Sequence, residues 1–185
     1  ETIEGMVEAA AAFGHEYVCI ADHASGPGVV GGMGLDDDEI REQIDAVREV
    51  DTEVDIEVFA GIETNIDADG AVSAGEDVLA DLDLVVASPH SGLDGDGTDR
   101  IVAAIEHPGV DVIGHPSGRL LDERPGLELD IERIAAAAAE HGTALEINAN
   151  PHRLDLRDEA VRVAVDAGAP IAIDTDAHSV PEYGY

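Results

Sequence analysis

Lysine is absent from this 185-residue sequence: all nine cationic side chains are arginines, set against 42 aspartates and glutamates. The resulting formal net charge of -33 excludes a basic nucleic-acid clamp, because affinity for a phosphate backbone rests on its neutralisation by Lys and Arg. Cysteine is nearly absent as well. The single Cys19 rules out an internal disulfide and any zinc-finger spacing, and points to a reducing, cytoplasmic compartment. Tryptophan is missing and aromatics make up only 3% of the chain. No apolar run approaches the roughly 18 residues of a membrane span, and no basic region followed by an apolar run opens the chain, so no membrane partner is expected.

What is present suffices for a core. Hydrophobic residues make up 44% of the chain, enough for one domain of ordinary size spanning residues 1–185. Repulsion among the carboxylates is screened over about 8 Å at roughly 0.15 M salt and over about 3 Å at 1 M. An acidic chain without lysine, rich in Ala, Val and Gly, therefore reads as adapted to a very salty, halophile-like cytoplasm. Most of its carboxylates read as a solvated surface, not as a binding patch.

Two periodicities alternate along the chain. Ile3, Met6, Val7, Ala10 and Ala11 share a helical face closed by Gly14, and Tyr17 to Ala21 follows as a buried strand. A glycine-rich loop from Gly26 to Gly34 leads to a helix over Asp37 to Val50 and a strand over Ile56 to Ile62. A helical turn is expected at Asp77 to Ala80. Strands are expected at Leu84–Ser88, Val110–Gly114, Ala144–Asn148 and Ile171–Thr175, with helices at Thr98–Glu106, Asp130–His141 and Arg157–Ala167. Six short strands separated by helices describe one α/β domain with a parallel sheet, and those strands that are apolar throughout point to burial on both faces. No G-x-G-x-x-G follows any strand, which disfavours a dinucleotide fold.

Polar residues able to bind metal stand instead at the carboxyl end of strand after strand: Asp22 and His23, Glu63, His90, His115, Asp176 and His178. Such gathering from several strand ends is what a β/α barrel provides. Singly, each reads as an ordinary structural histidine or a surface carboxylate; jointly they read as a metal site. His15, His107 and His141 sit where helices end, and His152 lies in a loop, so these four read as structural. Imidazole with carboxylate suits zinc, manganese or iron, and ligands from separate strands imply two or three divalent ions. Such clusters activate water, bridge a phosphoryl group and offset charge on a leaving oxygen, so the chemistry read here is phosphoester hydrolysis. Amide hydrolysis or deamination is the competing use of the same ligands, although its usual bridging lysine has no counterpart in this chain.

The ordered segments Ala21-Asp22-His23-Ala24-Ser25, Gly61-Ile62-Glu63, Ala87-Ser88-Pro89-His90-Ser91, Ile113-Gly114-His115-Pro116 with Gly118-Arg119-Leu120-Leu121, Ala144-Leu145-Glu146-Ile147-Asn148 and Thr175-Asp176-Ala177-His178-Ser179 resemble the motifs of the PHP (polymerase and histidinol phosphatase) family. The resemblance covers nearly the whole chain and is closest in form to the PHP domain of family X DNA polymerases. It implies a distorted TIM-like (β/α)7 barrel with up to three metal ions. Glu63 would bridge two of them, His90 and His115 would complete one, Asp176 would sit on a second, and His23 with His178 would hold a third. Asp22 would orient a ligand, and Glu63, Asp176 and His178 would be catalytic. Family members begin with an H-x-H strand that has no counterpart here, so the resemblance makes this chain a fragment lacking that first strand. Arg119, Asn148 and Arg153, in loops beside these motifs, are candidates for holding substrate phosphate. The implied activity is 3'-end processing of DNA, as 3'-5' exonuclease or 3'-phosphatase, with the DNA presented by an attached polymerase module. A small-molecule phosphatase of the histidinol-phosphate type and a noncatalytic scaffold are the alternatives.

Overall fold

Two of the helices are closed at both ends by their own caps. Helix α1 (Ile3–Phe13) starts where Thr2 Oγ1 accepts from Gly5 N at 3.1 Å and stops at Gly14, whose φ of 91° is the left-handed conformation that glycine adopts without strain. The same device bounds α5 (Ile131–His141), between the Asp130 carboxylate, which accepts from Arg133 N at 3.2 Å, and Gly142. Helices α2 (Asp37–Asp51), α3 (Glu76–Leu79), α4 (Thr98–Ile105) and α6 (Asp158–Ala167) complete the set. The structure, a computed structural model, describes residues 1–26, 34–51 and 55–185. Most of the expected Gly26 to Gly34 loop lies outside the described residues.

Between the helices run β1 (Tyr17–His23), β2 (Glu57–Asn65), β3 (Leu84–Ser88), β4 (Val112–Ile113), β5 (Ala144–Asn148) and β6 (Ile171–Asp174). They form one sheet in sequence order, every neighbouring pair parallel. The sheet curls into a half-barrel of the expected PHP type, with six strands among the described residues and β1 and β6 at its two edges. Alternation along each strand sorts the side chains by face. Val58, Ala60, Ile62, Val85, Ala87, Ile113 and Leu145 join Val7, Ile40, Ile44, Val47, Ile101 and Ile134 of the helices in one continuous core. The opposite, concave face carries Phe59, Gly61 and Glu63, the positions between those core residues on β2.

Burial on both faces, expected of the apolar strands, holds for most of β2, which has a neighbour on each side, but not at the sheet edges. Tyr17 on β1 is 65% exposed and Ile173 on β6 is 73% exposed, because an edge strand has a neighbour on one side only. Strand β4 is shorter than the expected Val110–Gly114. Its flanks still bond to β3 through Asp111 N to Val85 O at 3.0 Å and Gly114 N to Ala87 O at 2.9 Å.

Candidate metal centre

Parallel register sets His23 directly beside Glu63 at the carboxyl ends of β1 and β2. The first turns after β3 and β4 deliver His90 and His115 to the same place. Glu63 is buried, and its two carboxylate oxygens face different rings. Oε2 lies 2.9 Å from His23 Nδ1, while Oε1 lies 3.1 Å from His115 Nε2 and 3.4 Å from His90 Nε2. Burial pushes the Glu63 carboxyl up, but the imidazoles of His115, His23 and His90 outweigh it and hold this group well below the usual carboxylate range. The neighbouring carboxylate in turn raises His23, against the opposing effect of burial.

These close approaches do not satisfy the rings. His90 Nδ1 and His115 Nδ1 are buried with no partner, and the contacts of His23 Nδ1 and His90 Nε2 with Glu63 fall short of hydrogen-bond geometry. Buried polar atoms are ordinarily paired, so a cluster of orphaned imidazole nitrogens around one carboxylate requires a cause, and a cation shared among them supplies it. One ligand atom each from His23, Glu63 and His90 lie within 4.8 Å of one another. The residues present therefore fit a divalent ion of the zinc, manganese or iron class.

Ring centroids step outward from this group: His115 to His90 is 5.2 Å, His90 to His23 is 5.0 Å, and His23 to His178 is 5.7 Å. His178 is largely exposed; its Nδ1 lies 2.8 Å from the Asp176 carbonyl oxygen and 3.7 Å from Asp176 Oδ1. Two of the gathered residues are not glycine yet have positive φ, His115 at 25° and Asp176 at 50°. Backbone strain of this kind concentrates at functional sites, where it fixes side chains that relaxed geometry would misdirect. Asp22 is exposed on the strand face opposite His23 and acts on that ring only through its charge.

The expected substrate residues divide. Arg153 reaches Asp176 Oδ2 with Nε at 3.5 Å and keeps a buried Nη1 without a partner. The Arg119 guanidinium is committed to main chain, donating from Nε to Arg153 O at 2.8 Å and from Nη2 to Leu154 O. Asn148 donates from Nδ2 to Asp176 Oδ2 at 3.0 Å and accepts from Asn150 N at 3.1 Å, so it holds Asp176 and the following loop. Among the four histidines read as structural, His107 closes the turn after α4, bonding Glu76 Oε1 at 3.1 Å and accepting from Gly109 N.

Three contributors escaped the sequence reading. Glu146 accepts from His115 N through Oε2 and is buried. Burial first, then the neighbouring Asp174, pushes its carboxyl well above the usual range. Asp174 is raised chiefly by burial. Asn65 is fully buried and accepts from His90 N at 3.3 Å. The signal for two of them was the two-residue period of a strand: Asn65 shares a face with Glu63, and Glu146 with Asn148.

Comparison with known proteins yields no matching family model. Individual relatives are clear. The DNA polymerase/3'-5' exonuclease PolX of Bacillus subtilis is 36% identical over 183 residues, covering 97% of this chain but 32% of that protein. Probable phosphatase TTE1963 of Caldanaerobacter subterraneus is 32% identical over 89% of this chain and 65% of its own length. A probable phosphatase of Caldicellulosiruptor saccharolyticus is 32% identical over 96% of this chain and 73% of its own. Among solved structures, histidinol phosphate phosphatase from Lactococcus lactis, complexed with zinc, L-histidinol and phosphate, superposes with a TM-score of 0.67. That match covers 97% of this chain and 81% of the other at 19% identity, which speaks to the fold.

Proposed function

Since this chain belongs to the PHP family, we propose that it is a metal-dependent phosphoesterase whose centre is built from His23, Glu63, His90, His115, Asp176 and His178. The observation that carries this reading is the group of buried imidazole nitrogens around Glu63 that lack a hydrogen bond. Ions held there supply Lewis acidity and charge neutralisation to a phosphoester. Glu63 is suited to sharing between two ions, because Oε1 faces His90 and His115 while Oε2 faces His23. Asp176, held by Asn148, offers a further carboxylate, and His178 stands beside it. Arg153, whose Nε lies 3.5 Å from Asp176 Oδ2, brings a cation beside this carboxylate and is the candidate for holding a nonbridging phosphate oxygen. Arg119 acts one step back, by fixing the carbonyl of Arg153.

Within that class, the reading best supported is 3'-end processing of DNA, as exonuclease or 3'-phosphatase in repair. The support is the 36% identity to the PolX polymerase/exonuclease along nearly the whole of this chain. With a net charge of -33 the domain has little affinity of its own for duplex, so DNA ends would be presented by an attached polymerase module. The second reading, a small-molecule phosphatase, is favoured by the phosphatase relatives, one of which this chain matches over 73% of its length. The test is hydrolysis by the intact protein loaded with zinc or manganese. The substrates are a 3'-phosphorylated oligonucleotide, a single-stranded oligonucleotide and histidinol phosphate. Turnover of an oligonucleotide, lost in Glu63→Gln, is the expected result. Turnover of histidinol phosphate alone moves the assignment to the second reading, and bound metal with no turnover of any substrate leaves a scaffold.

A further inference from the structure

Arg100, on the first turn of α4, is a buried cation whose hydrogen bonds all go to main-chain carbonyls. Its Nη1 donates to Ser91 O at 2.8 Å and to Gly92 O at 3.3 Å, and its Nη2 donates to Ile66 O. Its Nε is buried without a partner. In a chain with 42 carboxylates, a buried guanidinium spent on carbonyls is unexpected. Desolvating a cation is costly, and an acidic partner would offset more of that cost than a neutral one. Burial correspondingly lowers its pKa, with only the charge of Asp67 opposing.

The three carbonyls belong to two loops that matter. Ile66 directly follows β2, three residues past Glu63, while Ser91 and Gly92 directly follow His90. The same two loops are joined on the other side of His90: Asn65 Oδ1 accepts from His90 N at 3.3 Å, and Ile66 N donates to Ser88 O at 2.9 Å. The His90 main chain is therefore held from both flanks, by the Asn65 amide at its own nitrogen and by the Arg100 fork just beyond it. The His90 ring itself meets Glu63 only through Nε2 at 3.4 Å, short of hydrogen-bond geometry, and its Nδ1 has no partner, so its placement rests on the main chain. Only a planar fork with several donors spans three carbonyls from two loops; a lysine ammonium on its flexible stem does not reproduce that geometry.

We propose that Arg100 is a positioning residue: by pinning the carbonyls of Ile66, Ser91 and Gly92 it holds the loop of His90 against Glu63 and thereby sets the spacing of the metal ligands. The proposal rests on the reading of His90 as a ligand. It is tested by zinc affinity, measured in competition with a chelator, and by the visible absorption of the cobalt-substituted protein, in wild type, Arg100→Met, Arg100→Lys and Arg133→Met. Arg133 serves as control because it is an exposed cation paired at 2.8 Å with Asp99, the residue before Arg100, so its removal takes a charge from the same end of α4 and leaves the bonds to Ile66, Ser91 and Gly92 in place.

The expected result is a loss of zinc affinity of roughly 10- to 100-fold in Arg100→Met, the range typical when a group that orients a ligand is removed. The cobalt bands should shift, Arg100→Lys should fall in between, and Arg133→Met should match wild type. An Arg100→Met protein that is less heat-stable with chelator present, but binds zinc like wild type with unchanged cobalt bands, overturns the proposal and leaves Arg100 a structural pin. Should Arg100→Met fail to fold, Arg100→Lys decides: unaltered affinity and spectrum overturn the proposal, weakened affinity with shifted bands supports it. Zinc binding in wild type that His90→Ala does not weaken overturns the ligand reading and the proposal together. Binding that His90→Ala abolishes and Arg100 variants leave intact overturns the proposal alone.

Discussion

Cys19 lies on the concave face of β1, its sulfur against Gly61 on the neighbouring strand. Burial, reinforced by the charges of Asp83, Asp174 and Asp111, pushes its thiol up to about 12. The thiolate is the reactive species, so at pH 8 labelling with a disulfide reagent should be about a thousandfold slower in the folded protein than in denaturant. Comparable rates would contradict the burial. The same shift makes a stability statement. A group with its pKa raised by folding contributes fully below its unfolded value and loses that contribution as pH rises through the folded one. Stability should therefore fall from about pH 9 toward 12 in wild type, and less steeply in Cys19→Ala, as urea midpoints across that range would show. Residues of this kind mark what the sequence could convey. His23, Glu63, His90, His115 and Asp176 stood out because unusual residue types end apolar strands. Asn65, Glu146 and Arg100 are ordinary types whose importance comes from the loops they touch, 8 to 34 residues away in the chain.

Elements were legible where two signals coincided. Helices α1 and α5 carried both an apolar period and a glycine stop, and both end at that glycine. Strand ends were less legible, because β4 is defined by partners on β3 and β5 and not by its own apolar run. Close approach of β1, β2 and β3 is also a property of pairs. A Cβ on Gly61 would overlap Cys19 Sγ and come within 3.0 Å of Leu84 O. Gly61→Ala should therefore cost about 1–3 kcal/mol by overpacking. In a Cys19→Ala background the cost should shrink by about 0.5 kcal/mol or more, since the sulfur is the first obstacle. Additive urea midpoints would contradict that contact. Removing the α5 cap with Asp130→Ala should cost about 1 kcal/mol, read the same way.

For the whole molecule, charge and fold are separate problems. The pattern of strands and helices reported an α/β domain with a parallel sheet, irrespective of the carboxylates that coat it, and the residues at the strand ends reported the barrel-like architecture and the family resemblance. A charge of -33 leads instead to an expectation about the conditions in which the fold persists. The described ion pairs of Arg41 with Asp77 at 2.7 Å and Arg133 with Asp99 at 2.8 Å are exposed and contribute little. The midpoint of thermal unfolding should rise steadily from 0.1 M to about 2 M potassium chloride, as circular dichroism would show, because salt screens the remaining repulsion. A midpoint independent of salt would contradict this. The central claim is that His23, Glu63 and His90 share a cation, and metal content after zinc loading and desalting tests it most directly. Wild type should retain at least one equivalent of zinc per chain, while a variant combining His23→Ala with His90→Ala, folded by circular dichroism in the same salt, should retain clearly less. Equal zinc in both proteins would contradict the claim.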